Sequence, residues 1–195
     1  TYRQVKGYSI KSVSTDPSNT KEGQIWYNNT LKQIKVSPLL GAWSSGGALG
    51  TKHNGAMEAG TQTAALMMGG QTPGSPATAN AFEWNGSSWT AGGSMNGGHR
   101  YRRGGGTQTA GMVAGGNGGS PSPTGYTETY NGTSFTEVGD MNTARTGGMM
   151  LGGSGPNSAG LYFGGQGSNP AESITESWDG SSWTETGDLN TARAY

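Results

Sequence analysis

Short apolar runs closed by paired glycines recur along the chain: AALMMGG at 64–70, AGMVAGG at 110–116 and AGLYFGG at 159–165. A run too short for a helix and ended by glycine predicts a strand buried on both faces. A polar loop rich in Pro, Gly and Ser follows each run (71–80, 117–127, 166–175), with the composition of a surface connection. Two more short strands come next, AFEW and SSWT in the first unit, joined at Asn85-Gly86, Asn131-Gly132 or Asp179-Gly180. These dipeptides predict tight hairpins of type I′, in which both central residues take positive φ. An aromatic stands on each side of the turn (Trp84 and Trp89, Tyr130 and Phe135, Trp178 and Trp183). A further strand from near NTAR onward brings each unit to about four strands.

The landmarks keep step at about 46 to 49 residues, a spacing that selects repeat architectures of the propeller-blade type. Gly93, Gly139 and Gly187 form another column, and Thr61-Gln-Thr-Ala64 reappears as Thr107-Gln-Thr-Ala110. Ahead of the repeats, GQIWYNNTLKQIKV alternates Ile25, Tyr27 and then Leu31, Gln33, Lys35 around Asn28-Asn29, which predicts a hairpin. GAWSSGG (41–47) then matches the outer strand of a unit, with Trp43 in the column of Trp89, and LNTARAY (189–195) matches the opening of another. The expected organisation is therefore all-β: a small N-terminal β-hairpin module at 1–48, then repeats at about 49–94, 95–140 and 141–188, with the start of a further unit at 189–195.

The order of landmarks resembles that of kelch repeats. MNTARTGGMMLGGSGPNSAGLYFGG followed by ESITESWDGSSW is similar to the kelch scheme of a basic residue, a hydrophobic strand, Gly-Gly and a spaced Tyr and Trp. The resemblance covers roughly 43–195. Trp84 and Trp178 depart from it at the Tyr position and Phe135 at the Trp position, and the Gly, Ser and Thr content is higher. GTQTAAL, YNGTSFT and MNTAR look closer to the kelch-like repeat proteins of marine bacteriophages, in which a leader similar to Tyr2–Val36 often precedes such repeats. The resemblance implies kelch-like β-propeller blades in a virion structural protein, a head or tail fibre or appendage.

Composition narrows the chemistry. The chain has 38 glycines, no cysteine and two histidines among 195 residues, so neither disulfides nor a cysteine metal site is available. Twelve basic and twelve acidic side chains cancel, and no apolar run approaches the ~20 residues that cross a membrane as a helix. Neither nucleic acid nor a membrane is an expected partner. Residues 1–52 nevertheless carry seven Lys/Arg against Asp16 and Glu22, whereas 53–195 carry five Arg against ten acids, so the first part is suited to a different partner.

His53, His99, Arg145 and Arg193 share one repeat column. They either ring one end of a central channel, where they would bind anions or a metal, or they cap strands and pair with acids such as Asp140 or Asp188. HRYRR places His99, Arg100, Tyr101, Arg102 and Arg103 together. That cluster is either an interaction patch for a phosphate, an acidic glycan or a neighbouring subunit, or a solvated sheet edge protected by charge. No GxSxG elbow, phosphate loop or evident catalytic triad occurs, so no catalytic, cofactor or metal residue is assigned and a non-enzyme is expected. The expected function is a virion protein docked to other virion proteins through its N-terminal module. It would form a homo-oligomer and display variable loops toward a host-surface glycan or protein. The alternative is a purely structural capsid or tail cement.

Overall fold

The computed structural model describes residues 10–18, 23–37, 45–74, 76–118, 122–152, 159–167 and 170–194; Trp43 and most of GAWSSGG lie outside them. The described residues form strands and turns with no helix. Two compact units divide between Ser45 and Gly46, a few residues before the expected boundary.

The first unit holds a three-stranded sheet of β1 (Lys11–Val13), β2 (Ile25–Asn28) and β3 (Gln33–Val36). The expected hairpin is β2–β3, closed by four residues between Asn28 and Gln33. Asn28 Oδ1 shapes the turn by accepting from the amides of Thr30 and Leu31 at 3.1 and 2.9 Å. The register differs from the predicted alternation. Ile34 and Val36, rather than Gln33 and Lys35, stand opposite Tyr27 and Ile25. β1, which pairs parallel with β2, is an addition to the expected hairpin. On the other face Asp16 accepts from Trp26 Nε1 (2.9 Å), Asn28 Nδ2 (2.8 Å) and Lys35 Nζ (2.6 Å), and these donors, Lys35 first, hold its pKa down at about 2.

The second unit contains three antiparallel four-stranded meanders in chain order. Sheet I is β4 (Met57–Thr61), β5 (Ala64–Met68), β6 (Ala81–Trp84) and β7 (Trp89–Ala91). Sheet II is β8 (Arg103–Thr107), β9 (Ala110–Ala114), β10 (Thr127–Tyr130) and β11 (Phe135–Val138). Sheet III is β12 (Met149–Gly152), β13 (Gly160–Phe163), β14 (Thr175–Trp178) and β15 (Trp183–Glu185).

The outer hairpins fall where expected, but their turns do not. Trp84 pairs with Trp89, Tyr130 with Phe135 and Trp178 with Trp183, so four residues close each loop. Only the glycine of each pair (Gly86, Gly132, Gly180) has positive φ. The preceding side chain works as an acceptor instead. Asn85 Oδ1, Asn131 Oδ1 and Asp179 Oδ1 each receive the amides two and three residues on at 2.8–3.0 Å. The flanking rings tilt against each other at centroid distances of 5.4, 4.5 and 5.5 Å.

The cores lie between sheets. Met57, Leu66, Met68 and Met95 pack against Val113, Tyr130 and Phe135 of sheet II. Met112, Ala114 and Met141 pack against Met150, Tyr162, Trp178 and Trp183 of sheet III. Each sheet therefore has a trailing face, turned to the next sheet along the chain, and a leading face turned to the previous one.

The paired glycines join these sheets. Gly69, Gly115 and Gly164 take positive φ, and a Cβ on any of them would collide with the carbonyl oxygen of His99, Arg145 or Arg193 respectively. The second glycine of each pair then donates its amide to that same carbonyl: Gly70 to His99 (2.9 Å), Gly116 to Arg145 (2.8 Å) and Gly165 to Arg193 (2.9 Å). A second bond repeats beside it, from Met95 to Ala79, Met141 to Gly125 and Leu189 to Ser173, each at 2.9 Å. Segment 189–193 thus binds sheet III as 95–99 binds sheet I and 141–145 binds sheet II. At the outer rim Gly47 lies against Ser87 and Trp84, and Gly93 and Gly139 repeat that contact against the next outer hairpin.

Candidate functional site

The variable loops share one construction. Each begins at a two-bond bridge to the segment leading into its own sheet: Asn54 with Gln71, Arg100 with Asn117, Thr146 with Gln166. Each is shut by one amide bonding back to a glycine carbonyl: Thr78 to Gly70 (2.8 Å), Thr124 to Gly116 (3.0 Å) and Glu172 to Gly165 (2.8 Å). All these root bonds are main chain to main chain, which leaves the composition of the tips unconstrained by them.

Between the first two loops lies a groove of about 320 Å³ lined by Pro76, Ala77, Gly98, Arg100 and Gly118. A Cβ on Gly98 would strike the Ala77 carbonyl, and one on Gly118 would come 2.8 Å from the Gly98 carbonyl, so glycine permits the two loops to meet. Arg100 supplies the groove's charge. Its Nη1 donates to Gln71 Oε1 at 2.5 Å, its Nε has no protein partner, and its guanidinium sits 5.7 Å from the Tyr101 ring centroid. A guanidinium held at a groove wall suits a carboxylate or phosphate oxygen.

HRYRR does not remain a patch. Arg102 is wholly buried, its Nη1 on Glu128 Oε1 at 2.6 Å, with further bonds to the carbonyls of Gly115 (2.9 Å) and Tyr126 (3.1 Å). His99 is buried edge-on to Tyr126, and Arg103 donates to the carbonyl of Gly148, just before β12. Tyr101, at φ 57°, lies against Gly55. The physical reason is the positive φ of Tyr101, which breaks the strand alternation that would put Arg100 and Arg102 on one side, and the need of a buried Glu128 for a counter-charge, which turns Arg102 inward and leaves Arg100 at the loop rim.

The column of His53, His99, Arg145 and Arg193 likewise separates by environment. Arg145 is buried with Nη2 on Glu176 Oε1 at 2.7 Å, and it reaches the carbonyls of Gly164 (3.1 Å) and Ile174 (2.6 Å). Its partner is Glu176, not Asp140. Arg193 is exposed, and His53 is half-buried with Nδ1 3.2 Å from the Gly69 carbonyl and its ring edge-on to Phe82. Burial, with Arg102 close by, lowers the His99 pKa to about 4. No group of three or more His, Asp or Glu that could hold a metal occurs among the described residues.

The buried Arg–Glu pairs are what sequence reasoning missed. Glu128 and Glu176 share a repeat column and accept equivalent amides, Asn96 at 2.8 Å and Asn142 at 2.7 Å. Their alignment was the available signal: an acid repeated at one place in a strand of the predicted hairpins, once that strand is buried, requires a cation beside it.

No family model and no curated protein matches the chain. Chains of solved structures do match, among them one titled "Structure of YjhT", with a TM-score of 0.56 at 15% identity. The match covers 84% of this chain and 51% of that one, so the chain spans about half the length of that structure. At this identity the likeness is one of fold.

Proposed function

We propose that the three sheets are blades of a kelch-like propeller in a virion structural protein, and that the loop rim binds a host-surface glycan or protein. The observation that carries the binding part is the shared loop root: three tips of different sequence stand on identical main-chain bonds, a rigid support for a variable surface. The four-stranded meanders, repeated in order with cores between them, support the propeller. The virion assignment rests on the resemblance of the leader and of the repeats to phage proteins. In this role the N-terminal module docks on other virion proteins, and Arg100 engages an acidic or carbonyl-rich ligand group.

The test is binding of the purified chain to a glycan array and to bacterial envelope fractions, with Arg100→Ala and a swap of loop 71–77 as variants. Arg100→Ala should weaken binding about tenfold or more, the loss of one charge-assisted contact. Absence of binding to every probe would sink the attachment role. The cement reading is favoured by a different observation, the apolar face of the N-terminal sheet, where Ile25, Ile34 and Val36 are all more than half exposed.

A further inference from the structure

Both internal cores are made the same way, from the trailing face of one sheet and the leading face of the next. The positions that supply the trailing half are fixed by register. Met57 pairs with Met68 in sheet I, and Met149 pairs with Phe163 in sheet III, each partner standing just before a glycine pair. Met150 faces sheet II, so strand alternation turns Met149 and Leu151 to the opposite side, with Phe163 and Leu161 across from them. Sheet III therefore carries a largely apolar trailing half, with Thr175 at the place of Ala81. Met57 is 2% exposed in the first core, whereas Met149 and Leu151 are 53% and 60% exposed. Segment 189–194 covers this face only in part and leaves a cavity of about 50 Å³ between Met149, Phe163 and Arg193.

The leading half is present too, on sheet I. Met57, Leu66 and Met68 face sheet II, which turns Ala65, Met67, Trp84 and Trp89 the other way. These occupy the positions of Gly160, Tyr162, Trp178 and Trp183 in sheet III. Trp178 and Trp183 are buried by sheet II; Trp84 and Trp89 are only half-buried, with Gly46 and Gly47 against Trp84.

We propose that the trailing face of sheet III docks the leading face of sheet I of a second copy of this chain, head to tail, continuing the junction that joins sheets I to II and II to III. The two faces match by register and, apart from Glu58 at the place of Met150, by apolar character, and a heterologous contact of this kind extends or closes a ring of copies. Residues 49–53 hold the column places of 189–193, so docking exchanges one segment for the other at Gly165 and Ser173. Their hydrogen bonds are conserved in number through that exchange. This surface is separate from the loop rim, and its failure leaves the binding role untouched.

The test is sedimentation equilibrium of the full chain, followed by mixing. The wild type should associate with rising concentration. Met149→Glu/Leu151→Glu and, separately, Met67→Glu should each be monomeric. A mixture of the two variants retains one intact trailing and one intact leading face, and should give a 1:1 dimer and nothing larger. Removal of 189–195 should tighten wild-type association at least about threefold, because the segment no longer competes. Leu151→Lys, at an already exposed position, replaces the double variant if circular dichroism shows that the latter is unfolded. A wild type that stays monomeric, or mixed variants that fail to pair, overturns the proposal.

Discussion

At the scale of single residues, two arginines reach one place from different positions. Arg145 and Arg102 each bridge a glycine-pair carbonyl, a loop carbonyl and a core glutamate, yet they stand three places apart in the repeat. Gly148 holds the place of Arg102 in the third unit, and Tyr162 fills the space that a side chain there would take. Column matching therefore grouped Arg145 with His99, whereas function in the fold groups it with Arg102. Glu176→Ala would strand a buried guanidinium and should lower stability in urea melts by about 3–5 kcal/mol. Replacing both partners, as Arg145→Met/Glu176→Leu, should recover only part of that loss, because the amides of Asn142 and Thr143 and the carbonyls of Gly164 and Ile174 lose their partners. His99 gives a pH signature. Its folded pKa of about 4 lies below the ordinary 6.5, so the unfolded chain takes up the proton first and stability falls as pH drops from 6.5 toward 4. Thermal melts between pH 7 and 4.5 should show that slope, and His99→Gln should flatten it. Arg102, Glu128 and the Tyr126 ring are the groups facing this imidazole.

At the scale of elements, periodicity and punctuation made the strands readable, because apolar runs bounded by glycine leave few alternatives. The turn geometry was less readable. Asn-Gly suits a type I′ turn, but the paired aromatics set a four-residue loop, and the asparagine then serves better as an acceptor than in a left-handed conformation. In the leader, Gln33-Ile34-Lys35-Val36 offers two alternations, and only the turn length chose between them. The glycine pairs were visible as a repeat, but their purpose lies in contacts between units that spacing does not display. Gly115→Ala meets both a positive φ and the Arg145 carbonyl, whereas Gly74→Ala meets positive φ in open space. Gly74→Ala should cost about 1–2 kcal/mol. Chemical denaturation should show Gly115→Ala costing at least about twice as much.

At the scale of the whole molecule, sharing cores between neighbours makes stability a sum over junctions. Sheet II takes part in two described cores and sheets I and III in one each. Hydrogen exchange should accordingly slow most for the amides of β9 and β10, with the outer strands of sheets I and III opening first; uniform exchange across the sheets would contradict a junction-by-junction account. The site was legible only at the level of loops. Their variability showed in the sequence, but the choice of Arg100 as the half-buried cation of the groove depended on which way each side chain of HRYRR turned.

The roots of the three loops have a consequence for how such a chain changes over generations. Because the bonds that open and shut each loop are made by backbone atoms, most tip side chains are not tested by the scaffold, the glycines at positive φ, Gly74 and Gly118, being the exceptions. A substitution at any other tip position alters the rim and leaves those bonds in place. Such a chain can change its rim one loop at a time, each trial starting from the same loop roots.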